Sequence, residues 1–249
     1  MSLGFLTFLS IGFFAQLVDG ALGMAFGVIS TTFLLSFGLT PAHASAVIHL
    51  AEVFTTGASA VSHAMHKNIN RRLVIKLAVA GASGAIVGAH VLSNIDGRVM
   101  RPLVAAYLFV IAIFILLRAV RAPPPRDAAP VFAVPLGVVG GFLDAIGGGG
   151  WGATVTSTLL GSGQAPRLAI GSVNTAEFFV TVAAATTFFV ELRSLPIEAL
   201  LGLTLGGALA APFGAYLARV LPARPLMTAV GLLVAGLAGY QVASSVNLI

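Results

Sequence analysis

The sequence predicts an all-α polytopic membrane protein, with about eight hydrophobic segments arranged as two homologous, inverted four-segment repeats. Three observations carry this reading. Of the 249 residues, 58% are hydrophobic and 8% are charged, with a mean hydropathy of +1.02, whereas soluble domains run at roughly 45–50% and 25%. The apolarity extends along the whole chain without a polar block large enough for a second domain. The two halves also resemble each other in sequence.

The segments follow from the loop signals, since a spanning helix needs about 20 mainly apolar residues. They fall at 3–37, 42–65, 73–93, 99–118, 131–161, 167–190, 197–218 and 225–245. The third and seventh contain uncharged cores, Leu77–Ile95 and Ala199–Ala218, and the last is uncharged from Pro225 to Ile249. The first apolar stretch starts almost at Met1, without a basic n-region or a small-residue cleavage site, and is expected to be retained as a membrane segment. Between the halves, Arg121 to Pro130 is Pro-rich and charged, which predicts an extended, solvated linker. The domain reading is therefore 1–120 for the first repeat, 121–130 for the linker and 131–249 for the second repeat.

The repeat is measurable. Aligning Asp19 with Asp144 and reading to Thr56 and Thr181 without a gap gives 13 identities in 38 positions, where chance in this composition gives about three. They include Gly23/Gly148, Gly27/Gly152, Thr31/Thr156, Pro41/Pro166 and Glu52/Glu177. With one inserted residue the similarity continues through Gly88/Gly214 to Arg98/Arg224.

The first segment of each half is too long for one straight helix. At about 1.5 Å per residue these stretches would reach roughly 50 and 45 Å, against a hydrocarbon core near 30 Å. Each is expected to break, at Val18–Gly23 and Leu143–Gly152, where glycines unwind a helix at low steric cost. Non-helical backbone at membrane depth survives only inside protein or beside a wet cavity, so the two breaks are expected to form the site. If each broken segment crosses the membrane once, the basic residues divide eight against five. If each is a re-entrant hairpin, the repeats are inverted and the division becomes ten against Arg98, Arg101 and Arg193. The positive-inside rule favours the second arrangement.

The charge balance, 13 Lys and Arg against 8 Asp and Glu with a pI near 10.5, would suggest nucleic acid in a soluble protein. Here the basic residues sit in short loops, where they orient the chain, so no nucleic-acid partner is expected. With no cysteine there is no disulfide framework, thiolate metal site or redox motif.

Four of the eight acids, Asp19, Asp144, Glu52 and Glu177, are two repeat-related pairs inside apolar segments. An ionised group at the bilayer centre costs at least about 2.5–3.5 kcal/mol, which makes such carboxylates functional candidates. For the aspartates the competing reading is helix capping, natural for Asp before a Gly-rich break. For the glutamates it is a neutral carboxyl bonded to free backbone. Helical spacing puts His49, Glu52 and Thr56 on one face, and Asn174, Glu177 and Thr181 on the matching face. Bundle packing alone would account for Thr31 and Thr156 but not for repeated glutamates, whose protonation could couple transport to protons. Free amides at broken-helix N-termini favour anions, so Gly23–Gly27 and Gly148–Gly152, with Ser30, Thr31, Thr154 and Thr156, suit a small oxyanion. His63 and His66 are expected at a solvated interface beside Lys67, and His43 and His90 stand alone. Trp151 either shapes a pore or packs. A phosphate-binding loop and a nucleophile elbow are both excluded by sequence, and no nucleophile–base pair suggests an enzyme.

The duplicated Gly-rich break, Thr/Leu-Leu stretch, Gly-x-x-Pro and helix beginning with Ala, as in Asp144–Glu177, resembles the TauE/SafE sulfite exporter family of the toluene-sulfonate uptake permease superfamily. The resemblance spans essentially the whole chain. It implies a bacterial inner-membrane carrier, multi-pass, for sulfite, sulfonates or related sulfur anions, driven by a proton gradient. The first half departs from the pattern, with Ala21-Leu-Gly-Met-Ala-Phe26 in place of a glycine run and a charged His49-Leu-Ala-Glu52.

The resulting expectation is a secondary transporter exporting sulfite or an organosulfonate by alternating access. Asp19, Gly23, Gly27, Thr31, His49, Asp144, Gly148, Gly149, Gly152, Thr156 and Asn174 line its substrate site, and Glu52 and Glu177 are its proton-coupling groups. Its expected partners are the anionic substrate, protons and the bilayer, with a homodimer allowed and neither cofactor nor resident metal required. The alternative is a divalent-cation permease using His49, Glu52 and Glu177.

Overall fold

The computed structural model describes residues 3–22, 24–65, 67–120, 132–162, 164–220 and 223–245; Gly23, His66 and the Pro-rich linker lie outside them. Every regular element among these residues is helical: α1 (Leu3–Leu22), α2 (Phe26–Ser36), α3 (Pro41–Met65), α4 (Arg71–Asn94), α5 (Gly97–Val120), α6 (Ala133–Gly147), a π turn (Gly152–Thr156), α7 (Ser157–Gly161), α8 (Pro166–Glu191), α9 (Ile197–Val220) and α10 (Ala223–Ser245). Grouping α1 with α2, and α6 with the π turn and α7, recovers the eight hydrophobic segments. Six described helices are long and apolar enough to cross a membrane, with α2, α6 and the described part of α9 as shorter apolar helices. Their outward faces carry Ile75, Val79, Val110, Phe189 and Val190, all exposed, as expected of surfaces whose solvent is lipid. The chain is an all-helical, multi-pass membrane protein.

Local chemistry sets the helix ends. Asn70 caps α4 by accepting from the Leu73 amide at 3.3 Å, and α8 opens with proline in its first turn. Hydroxyls inside the apolar helices turn back on their own backbone, as Thr7 does to the Leu3 carbonyl and Thr187 to that of Ala183.

Both long first segments break, as their length requires. After the break the chain doubles back: the rings of Phe8 on α1 and Phe37 at the end of α2 lie 6.1 Å apart. In the second half Gly140 on α6 lies against Val155 in the π turn. Each break is therefore the tip of a helical hairpin.

The repeats interlock rather than sit side by side. Hairpin helix α1 packs on α9 and α6 packs on α4, while α3 meets α8 and α5 meets α10. The contacts obey the sequence offset: Gly12 lies against the Leu203 carbonyl, and Gly137 against that of Leu77. Likewise His49 lies beside the ring of Phe188, and their repeat equivalents Asn174 and His63 face each other. Glycines at these crossings let the backbones approach, which is how membrane helices gain van der Waals contact without a hydrophobic drive between them.

Candidate functional site

The site starts from the aspartates. Both lie in the last turn of their helix: the backbone stays helical to Leu22 and Gly147, so each break opens about one turn later than the start of the stretch expected from sequence. They act as caps, though not from the N-cap position: each carboxylate reaches forward over the break to the helix that follows. Asp19 Oδ1 accepts from the amides of Ala25 (2.7 Å) and Phe26 (3.1 Å). Asp144 Oδ1 accepts from the amide of Trp151 (2.8 Å), the equivalent of Phe26. The next amides, those of Gly27 and Val28 and of Gly152 and Ala153, precede the first intrahelical bonds, Ile29 to Ala25 and Thr154 to Gly150, and so have no acceptor in their own helix.

The second break has glycine at three successive positions with positive φ: +65° at Gly148, +135° at Gly149 and +131° at Gly150. L side chains rarely adopt these values. Among the described residues of the first break no φ is positive, which is why Met24 and Ala25 are tolerated where the second half carries glycine.

The two breaks touch. A Cβ on Gly27 would fall 2.6 Å from the Gly149 Cα and 3.1 Å from Glu52 Oε1, so only glycine permits the crossing. Thr31 donates to the Gly148 carbonyl across the repeat boundary. Its equivalent, Thr156, is buried with a hydroxyl that makes no hydrogen bond among the described residues. Thr154 is occupied locally, donating to the Gly150 carbonyl, and the hydroxyl of buried Ser30 is unpartnered.

Around this crossing the structure gathers the predicted carboxylates. Glu52 lies near enough to Asp144, Glu177 and Asp19 to interact electrostatically with each. Glu52 and Asp144 are buried, and Asp19 and Glu177 partly so. Neither glutamate carboxylate accepts a hydrogen bond from a described residue. No lysine or arginine among the described residues pairs with any of the four. Arg101 and Arg118 donate instead to the carbonyls of Leu35 and Ser157.

His49 is fully buried between the repeats. Its Nδ1 lies 2.8 Å from the Ser45 carbonyl, and its Nε2 lies 3.2 Å from Asp144 Oδ2. A carbonyl only accepts, so Nδ1 carries a proton. The Nε2···Oδ2 contact then needs one more, on the imidazole or on the carboxyl, and the pair holds that proton between them.

Asn174 leaves the cluster. Its amide faces Ser59 Oγ and His63 Nε2, both at 3.4 Å, so this side chain, expected in the substrate site, reaches its α3 neighbours rather than the crossing. His63 is partly buried there, His43 is half-buried on Thr40, and His90 is exposed on Glu191. Trp151 packs, wholly buried against Gly81 and donating to the Val173 carbonyl at 3.3 Å. Gly23 and His66 are outside the described residues. An apolar groove of about 600 Å³ between α1, α2 and α10 contains none of the acids.

Two contributors escape sequence reasoning. Ser45 donates to the Ala145 carbonyl at 2.6 Å, tying α3 to the end of α6; its signal was the four-residue spacing to His49. Tyr107 on α5 lies over Gly147 and Gly150 and has no polar counterpart in the other repeat, so nothing in the sequence marked it.

A family model for the sulfite exporter TauE/SafE matches residues 8–241. The chain is 42% identical over 223 residues to the "Probable membrane transporter protein YtnM" of Bacillus subtilis (strain 168), covering 86% of this chain and 74% of that one. It is 25% identical over 185 residues to the "Probable membrane transporter protein ORF9" of Sinorhizobium sp, covering 73% and 66%. No solved structure matches. With a glycine crossing between two interlocked repeats, and a family match along nearly its whole length, the chain belongs to the TauE/SafE sulfite exporter family of membrane transporters.

Proposed function

We propose that the chain is a secondary carrier of the bacterial inner membrane that exports sulfite or an organosulfonate by proton-coupled alternating access. The observation that carries this reading is the crossing of Gly27 on Gly149, with Glu52 beside it. It brings the first-turn amides of two half-helices to one place next to carboxylates that no described lysine or arginine pairs with. Helix N-terminal amides favour an oxyanion through free donors and the helix dipole. The carboxylates oppose it unless they are protonated, so anion entry and proton uptake are linked by charge alone. Glu52 and Glu177, whose carboxylates make no hydrogen bond among the described residues, are the groups best placed to take up and release those protons.

Topology fits the same mechanism. If the hairpins enter from opposite faces, each repeat adds three crossings, α3–α5 and α8–α10, and the repeats are inverted. Ten basic residues then lie on the cytoplasmic side against Arg98, Arg101 and Arg193 outside. Inverted repeats can exchange conformations about a fixed midplane site, which is alternating access. The divalent-cation reading gains no support, since among the described residues no three His, Asp or Glu side chains are grouped to hold a metal.

The test is efflux of sulfite and of a small sulfonate from proteoliposomes under an imposed pH gradient, comparing the native chain with Glu52→Gln and Glu177→Gln. Gradient-driven flux that either variant uncouples supports the reading. Movement of divalent cations without any sulfur anion overturns it.

A further inference from the structure

The inverted topology puts Arg101, with Arg98 and Arg193, on the face opposite the other ten basic residues. Arg101 is half-buried in the second turn of α5, and its guanidinium donates to the Leu35 carbonyl at 2.6 Å, near the end of α2. A guanidinium has five N–H donors. Among the described residues Arg101 makes no other hydrogen bond and no ion pair. Capping α2 accounts for one donor and leaves the rest of a half-buried cation to be explained.

Arg101 borders a cavity of about 400 Å³ between the end of α2, the start of α5 and the end of α10, lined also by Ser36, Leu237, Tyr240, Gln241 and Ser244. Gln241 fastens α10 to α2 there, its amide donating to the Thr32 carbonyl (3.2 Å) and to Ser36 Oγ (2.9 Å). Tyr240 and Ser244, one turn apart and both exposed, carry hydroxyls that make no hydrogen bond among the described residues. No aspartate or glutamate lines the cavity. Its lining therefore offers one cation and two hydroxyls as donors, without a carboxylate to compete for them. In the second repeat the matching positions carry Met227, Phe114 and Ile115 in place of Arg101, Tyr240 and Gln241. Arg118 matches Ser244, and its guanidinium is turned to the Ser157 carbonyl. The donor set is not repeated at the other end of the molecule.

We propose that this cavity is a second oxyanion site, where the Arg101 guanidinium and the Tyr240 and Ser244 hydroxyls bind a sulfonate or phosphate group. A guanidinium fork is suited to oxyanions through parallel, charge-assisted hydrogen bonds. The site is separate from the glycine crossing, since the 11 residues of α2, Phe26–Ser36, lie between them and span about 15 Å. Its place on the outward face rests on the transport reading above, in which it receives the exported anion after the crossing. An anionic lipid headgroup offers the same chemistry from the bilayer.

The chain has no cysteine, so Ser244→Cys places a single thiol in the lining while keeping Arg101 and Tyr240. Its labelling by a membrane-impermeant maleimide is followed in phosphatidylcholine proteoliposomes of the full chain, with increasing ethanesulfonate or the neutral dimethyl sulfone. Ethanesulfonate should slow labelling along a saturation curve, about tenfold at ten times its half-effect concentration, and dimethyl sulfone should not. Arg101→Gln should abolish the protection. Tyr240→Phe, which leaves the Arg101 bond to Leu35 in place, should raise the half-effect concentration about fivefold or more, and is read instead if Arg101→Gln fails to fold. In phosphatidylglycerol vesicles, slow labelling without added sulfonate that Arg101→Gln restores to the fast rate identifies a lipid headgroup as the occupant. A labelling rate that neither anion changes, or protection that survives both substitutions, overturns the site. Sulfite flux through native vesicles is read separately: flux without protection overturns the site alone, and protection without flux of any sulfur anion overturns the transport reading alone.

Discussion

His49 Nε2 faces Asp144 Oδ2 at 3.2 Å, with both side chains buried, and joins α3 of the first repeat to α6 of the second. It is a one-sided link: the equivalent pair, Asn174 and Asp19, does not meet. His49 Nδ1 is held by the Ser45 carbonyl at 2.8 Å, so the ring is fixed at both nitrogens. His49→Phe should cost about 3–5 kcal/mol, the range for leaving one buried partner unpaired. In a double mutant with Asp144→Asn most of that loss should be recovered, as chemical denaturation in detergent would show. Additive losses would mean the contact carries no coupling.

Asp19 and Asp144 hold the half-helix N-termini through side-chain acceptors. Asp19→Ala should lower stability by about 1–2 kcal/mol, and Asp19→Asn, which keeps an acceptor oxygen, by clearly less. Equal losses by thermal unfolding would show that the charge, rather than the hydrogen bonds to Ala25 and Phe26, matters.

Gly149 and Gly38 both have positive φ, at +135° and +90°, but only Gly149 is also packed against Gly27, where a Cβ would sit 2.5 Å from backbone. Gly38→Ala faces open space and should cost roughly 1 kcal/mol from conformation alone. Gly149→Ala adds a backbone clash at the crossing and should abolish flux and lower the yield of folded protein. Comparable behaviour of the two variants in expression and flux assays would remove the crossing from the mechanism.

The carboxylates of Glu52 and Glu177 make no hydrogen bond among the described residues, so neutralising them should not weaken the fold. Glu52→Gln and Glu177→Gln are expected to melt at or above the native temperature while losing proton coupling, the exchange typical of functional groups kept at a cost in stability. A large drop in Tm would mark them as structural.

Much of this architecture is legible in the chain itself. Segment number, the break in each first segment and the pairing of Asp19 with Asp144 and of Glu52 with Glu177 depend on hydropathy, length and an internal repeat, all of which are properties of one dimension. A helix that must fit a membrane of fixed thickness and still satisfy its own backbone has few options, so these features survive folding unchanged. What the aspartates do was open between substrate contact and capping. It was decided by a carboxylate reaching six or seven residues forward, a distance that depends on the angle of the break. His49 finding Asp144, Asn174 turning instead to His63, and Tyr107 lying over the second glycine turn were decided by the interlocking of the repeats. Sequence spacing places a residue on a face of its own helix. Which helix stands opposite that face is set by close packing between glycines of different segments, and only the tertiary structure contains it.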